Sequence, residues 1–103
     1  MNPSANPNNI VEIKRTLQSY KQELCEKYKV KEIGVFGSYV REENRADSDL
    51  DILVEFSEPV GLINFVQLKN YLSDLLAIPV DLVMKKALKP RIRQKILSEV
   101  IYA

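Results

Sequence analysis

From Ile10 onward the apolar residues Ile10, Ile13, Leu17, Tyr20, Leu24 and Tyr28 recur at steps of three and four, while Lys14, Arg15, Lys21, Glu23 and Lys27 occupy the other faces. That spacing predicts one amphipathic helix from Ile10 to Tyr28. Ile33-Gly34-Val35-Phe36 is a short apolar run ending at Gly37, as expected of a buried strand that stops at a tight turn. Ser38 is placed to cap a short helix over Tyr39 to Glu43. Ser48 to Phe56 alternates acids and aliphatics before becoming continuously apolar, which predicts a central strand. Pro59 and Gly61 end it, and Leu62, Phe65, Leu68, Leu72, Leu75 and Leu76 resume helical spacing as far as Ala77. Ile78 to Val83 reads as a third strand with Pro79 near its start, where a missing amide is tolerated. Pro90 opens a last helix expected to turn Ile92, Ile96, Leu97, Val100 and Ile101 inward.

The order of elements predicts an α/β (α+β) fold in which a three-stranded mixed sheet is covered by helices on one face, leaving a more open functional face or edge. Residues 1–9, rich in Asn, Pro and Ser, read as a flexible leader ending in a possible Asn cap, and residues 10–103 as a single domain. Fifteen basic and fourteen acidic residues nearly cancel, so no global field draws the chain to nucleic acid or a membrane. Histidine is absent, which leaves carboxylates to carry any acid–base or metal chemistry. The lone Cys25 forms no internal disulfide, and with no signal segment or long apolar run the expected setting is the cytoplasm.

Asp49 and Asp51 are two apart, so on a strand their carboxylates share one face while Leu50 and Ile52 enter the core. Close like charges are costly unless a cation lies between them. With only hard oxygen donors available, Mg²⁺ or Mn²⁺ is the natural choice. Asp81 is the acid of the third strand and a candidate third ligand if that strand lies beside the second. Three carboxylates suffice for two ions about 4 Å apart, as in in-line phosphoryl displacement. The competing interpretation is a solvated strand face, with Asp47-Ser48-Asp49 a simple turn.

Gly37-Ser38 follows a strand and precedes a short helix, where a residue without a Cβ lets backbone approach a phosphate. A Gly-Ser turn alone is common. Its weight comes from the ten residues that separate it from Asp49-x-Asp51 and from the acid in a later strand.

At these residues the chain resembles the minimal nucleotidyltransferases of the DNA polymerase β-like superfamily, whose signature is G-S-x(10)-D-x-D followed by a later strand acid. Gly37, Ser38, Asp49, Asp51 and Asp81 fill those places. The resemblance implies a small polymerase β-like fold, Asp49 and Asp51 as ligands of both metal ions, Asp81 as ligand of the ion that activates the acceptor hydroxyl, and Gly37-Ser38 holding the triphosphate. It implies transfer of AMP from ATP to a hydroxyl with release of pyrophosphate. Members often read G-S-x-A-R-G, whereas here Val40 replaces the Ala and Glu42 the second Gly, with Arg41 retained. Glu42 puts a negative charge near the expected phosphate path, and Arg41 is left either to contact phosphate or to pair with Glu42, Glu43 or Asp47.

Minimal members resemble the antitoxin half of two-component systems whose other half is a HEPN-domain ribonuclease toxin, and the resemblance implies AMP transfer to a tyrosine of that toxin. The short chain, with no second domain to bind an acceptor, agrees with a protein as acceptor and with a homo-oligomer or a hetero-oligomer with the toxin. The alternative is a catalytically weak antitoxin that neutralises by direct binding, and a small-molecule transferase is a third class. The basic residues Lys85, Lys86, Lys89, Arg91 and Arg93 read as a solvated connector or as a partner contact. Tyr39 is placed either to stack on a base or to pack against the loop.

Overall fold

A computed structural model describes residues 9–103; the expected leader, apart from Asn9, lies outside the described residues. Helix α1 (Ile10–Ser19) starts where the Asn9 side chain accepts a 2.7 Å hydrogen bond from the Val11 amide, the anticipated cap. The single long first helix is corrected by the structure. It breaks at Tyr20, and α2 runs from Lys21 to Tyr28. The Thr16 and Ser19 hydroxyls donate back to the Glu12 and Arg15 carbonyls at 2.9 and 3.0 Å, a bonding pattern that bends helices. Periodicity did not register the break because Ile13, Leu17 and Leu24 remain buried on either side of it.

Strand β1 (Val30–Phe36) pairs antiparallel with β2 (Leu50–Phe56). Helix α3 (Leu62–Leu76) then makes the crossover that a parallel pairing requires and delivers β3 (Val80–Met84) alongside β2. Helix α4 (Pro90–Glu99) is followed by a fourth strand, β4 (Ile101–Tyr102), antiparallel to β1. The sheet is therefore four-stranded and mixed, in the order β3-β2-β1-β4, rather than three-stranded. Val100 and Ile101, expected on the inner face of the last helix, instead form its exit and the edge strand. Gly34 admits that strand, since a Cβ there would lie 2.8 Å from Val100 Cγ2 and 2.9 Å from the Ile101 carbonyl.

Alternation along the strands divides the core between two faces. Ile33, Val35, Leu50, Ile52, Val54, Val80 and Leu82 pack with Ile13, Leu17, Leu24, Leu68 and Leu72 of α1, α2 and α3. Phe36, Leu53 and Leu88 form a smaller cluster on the opposite side, against Ile96 and Leu97 of α4. Helices thus cover both faces, which corrects the expectation of cover on one face only. Ile92, expected inward, is 49% exposed. Among the described residues no helix is long and apolar enough to cross a membrane.

Candidate active site

Pairing register gathers the acids. Because β1 and β2 are antiparallel and β2 and β3 parallel, Phe36, Asp51 and Asp81 lie in one row across the sheet. Neighbouring strands are about 4.8 Å apart, so the Asp51 and Asp81 side chains stand side by side on the face that carries α4. Asp49, two residues earlier, sits exposed just before β2 begins. Burial, then the neighbouring Asp81 carboxylate and finally the charge of Asp49 push the Asp51 carboxyl up to about 6. Among the described residues, no three acid, histidine or cysteine side chains stand close enough together to form a ready metal cage. Asp51 and Asp81 are the paired members, and Asp49 stands apart as the exposed acid before β2. The oxygen-only donor set and the unfavourable crowding of negative charge at Asp51 fit a hard divalent cation.

Directly after β1 the chain makes a 3-10 turn, Gly37–Tyr39, and then an irregular turn. This replaces the short helix expected over Tyr39 to Glu43, with the Glu43 amide instead donating to the Ser38 carbonyl at 2.8 Å. Gly37 has φ +84°, and a Cβ on it would overlap Asp51 Oδ2. The loop and the central acid are in direct contact only because residue 37 lacks a side chain. Ser38 is half-buried beside them. Tyr39 is 3% exposed within the larger core, so it packs beneath the loop and has no face left for a base. Its hydroxyl donates to the Ser48 carbonyl at 3.4 Å, and burial with the nearby Asp49 charge raises its pKa, keeping the phenol neutral.

Arg41 takes neither Glu42 nor Asp47. Its Nε donates to Glu43 Oε1 at 3.0 Å, and its Nη1 donates to both Glu99 oxygens at 3.1 Å. Glu99 Oε2 also accepts the Gly37 amide at 2.8 Å. No local sequence signal marked Glu99, which lies 62 residues from Gly37. A cavity of about 240 Å³ opens between Gly37, Arg41 and Asp51 on one side and Ile92, Lys95, Ile96 and Glu99 of α4 on the other. Glu42 is exposed and adopts φ +57°, left-handed geometry at the place where the family pattern has glycine. Of the basic cluster, Lys85, Lys86 and Arg93 line a separate cavity of about 260 Å³ at the other end of β2 and β3, beside Glu55.

The family described as nucleotidyltransferase domain matches residues 17–103. The chain belongs to that family. Protein adenylyltransferase MntA of Thermococcus cleftensis is 53% identical over 91 residues, covering 88% of this chain and 92% of that protein. A solved structure described provisionally as a minimal nucleotidyltransferase superposes with a TM-score of 0.75 at 38% identity, covering 90% of this chain and 94% of that one. The same fold occurs in an MNT antitoxin in complex with a tri-AMPylated Shewanella oneidensis HEPN toxin, at 22% identity and a TM-score of 0.61, covering 86% of this chain and 70% of that one. The α+β architecture with a mixed sheet is thus that of minimal nucleotidyltransferases, and the chain is a nucleotidyltransferase.

Proposed function

We propose that this nucleotidyltransferase transfers AMP from ATP to a tyrosine hydroxyl of a partner HEPN-domain ribonuclease and so neutralises it as an antitoxin. The observation that carries this reading is that Gly37 abuts Asp51 while Asp51 stands opposite Asp81. It joins a phosphate-approach turn to paired carboxylates. A protein acceptor is supported by the name of the Thermococcus relative, and the HEPN class by the resemblance of the sequence and by the partner of the Shewanella antitoxin.

Asp49, Asp51 and Asp81 would hold Mg²⁺ or Mn²⁺, which when bound supplies charge neutralisation for the triphosphate and acidifies the acceptor hydroxyl. Gly37, Ser38 and Arg41 bind and orient the triphosphate, the glycine by letting backbone come close and Arg41 by its fixed guanidinium. In the transfer the acceptor oxygen bonds to the α-phosphorus, the bond from that phosphorus to the bridging oxygen breaks, and pyrophosphate leaves with the electron pair. The hydroxyl proton, made acidic when the ion is bound, departs to a carboxylate of the site or to water.

Incubation with labelled ATP, Mg²⁺ and the purified HEPN partner is expected to label a partner tyrosine, and Asp49→Asn with Asp51→Asn to abolish the label. Transfer that survives the double substitution would overturn the reading. Direct-binding neutralisation without catalysis is favoured by one observation, the engagement of Arg41 by two carboxylates. Neutralisation of the ribonuclease at wild-type strength by the double variant would select it.

A further inference from the structure

Glu99 belongs to none of the motifs in the sequence, yet it joins two of the groups assigned to the triphosphate. One of its oxygens receives the Gly37 amide at 2.8 Å, and both receive Arg41 Nη1 at 3.1 Å. A carboxylate in that position has two physical interpretations. It is a stand-in anion that phosphate must displace, or a strut that holds the phosphate-binding groups in place.

Its mounting decides between them. Glu99 is the last residue of α4, and the Val100 amide closes the final turn by donating to the Ile96 carbonyl at 2.9 Å. Immediately beyond, Ile101 and Tyr102 pair with Val35 and Gly34 of β1, the strand that ends at Gly37. Val100 also packs against the cluster of Phe36, Leu53 and Leu88. The backbone that carries Glu99 is therefore tied, just beyond the side chain, to β1, the strand that Gly37 directly follows. Its side chain is 18% exposed, against 40% for Arg41, so the carboxylate is the fixed member of the pair and the guanidinium the one being fixed. Glu43 holds Nε and Glu99 holds Nη1, and among the described residues Nη2 has no partner. Arg41 lines the cavity beside Asp51 with that donor group uncommitted. A guanidinium held at two of its nitrogens loses little further freedom when the third meets an anion.

We infer that Glu99 is a positioning residue, which locks the Gly37 turn and the Arg41 guanidinium into one preorganised unit for the nucleotide triphosphate. The inference rests on the proposed nucleotide transfer and names a residue on which that reading does not depend. Glu99 touches no substrate atom in this role; it acts through Gly37 and Arg41.

The test compares wild type, Glu99→Gln, Glu99→Ala, Arg41→Ala and the double variant Glu99→Ala/Arg41→Ala. Affinity for ATP with Mg²⁺ is read by calorimetry, and KM and kcat by label transfer. Loss of a charge-assisted anchor is expected to weaken ATP binding and raise KM about tenfold in Glu99→Ala. The kcat is expected to fall less than KM rises. Glu99→Gln, which keeps an acceptor for the Gly37 amide, should recover part of the loss even if Glu99→Ala proves poorly folded. The double variant should lose less than the product of the two single losses, because Glu99 acts in part through Arg41. Tighter ATP binding by Glu99→Ala or Glu99→Gln would make Glu99 a competitor and overturn the inference, as would losses that multiply in the double variant. A wild-type chain that neither binds ATP nor transfers label would sink the proposed function and this inference together, whereas active wild type with indifferent Glu99 variants sinks the inference alone.

Discussion

Asp51→Asn should make the metal-free protein more stable while it removes transfer. Asp51 sits partly buried between Asp81 and Asp49, and its carboxyl is raised from 3.8 to about 6. The folded protein therefore binds this proton more tightly than the unfolded chain. Stability from this group is present at acid pH and is lost as the pH climbs through about 6, levelling off above. At face value the gap between the two values corresponds to about 3 kcal/mol. Water still reaches the side chain, and screening reduces the realised penalty to about 1 kcal/mol. Asparagine keeps the shape and sheds the charge, so its Tm at about pH 7.5 should exceed wild type by roughly 4–8 °C in a chain of this size. Thermal melts followed by circular dichroism with a chelator present, repeated from neutral to acid pH, measure the effect. The advantage should shrink toward about pH 4, where both forms are neutral. Added Mg²⁺ should raise the Tm of wild type and leave the variant nearly unmoved. A variant no more stable than wild type at neutral pH, or an advantage unchanged in acid, would refute the charge-crowding argument.

Two further substitutions address the loop. Gly37→Ala forces a Cβ into Asp51 at φ +84°, with Asp51 Cγ only 3.0 Å away. Left-handed strain alone costs about 1–2 kcal/mol, and displacement of Asp51 should cut transfer about tenfold or more; unchanged melts and unchanged label transfer would contradict this. Glu42→Gly relieves left-handed strain at an exposed residue with φ +57°. It should be neutral or stabilising by about 0.5 kcal/mol in urea titration, against the destabilisation usual for an added glycine.

Much of the site was legible because its parts obey short-range rules. The spacing of Asp49 and Asp51 pointed to a shared strand face, although the structure starts β2 at Leu50 and leaves Asp49 just outside it, and Gly37 after an apolar run marks a turn that needs a missing side chain. The break at Tyr20 was hidden because the buried residues keep their phase while two hydroxyls bend the backbone. Strand β4 was hidden because two residues carry no period, and Val100 and Ile101 satisfy a helical stripe equally well. Ile92 fitted that stripe too, yet it lines the cavity rather than the core.

By itself the sequence determined which side chains are candidates for the chemistry, carboxylates and a glycine turn in a chain without histidine, and most of the local elements they ride on. Only the tertiary structure decided that Asp81 stands opposite Asp51, that the acids lie on the face covered by α4, and that Glu99 reaches back to Gly37 and Arg41. The physical reason is range. Backbone periodicity and turn geometry act over a few residues and are written in order along the chain, whereas strand order and register are settled by the packing of both faces at once and bring together residues as far apart as Gly37 and Glu99.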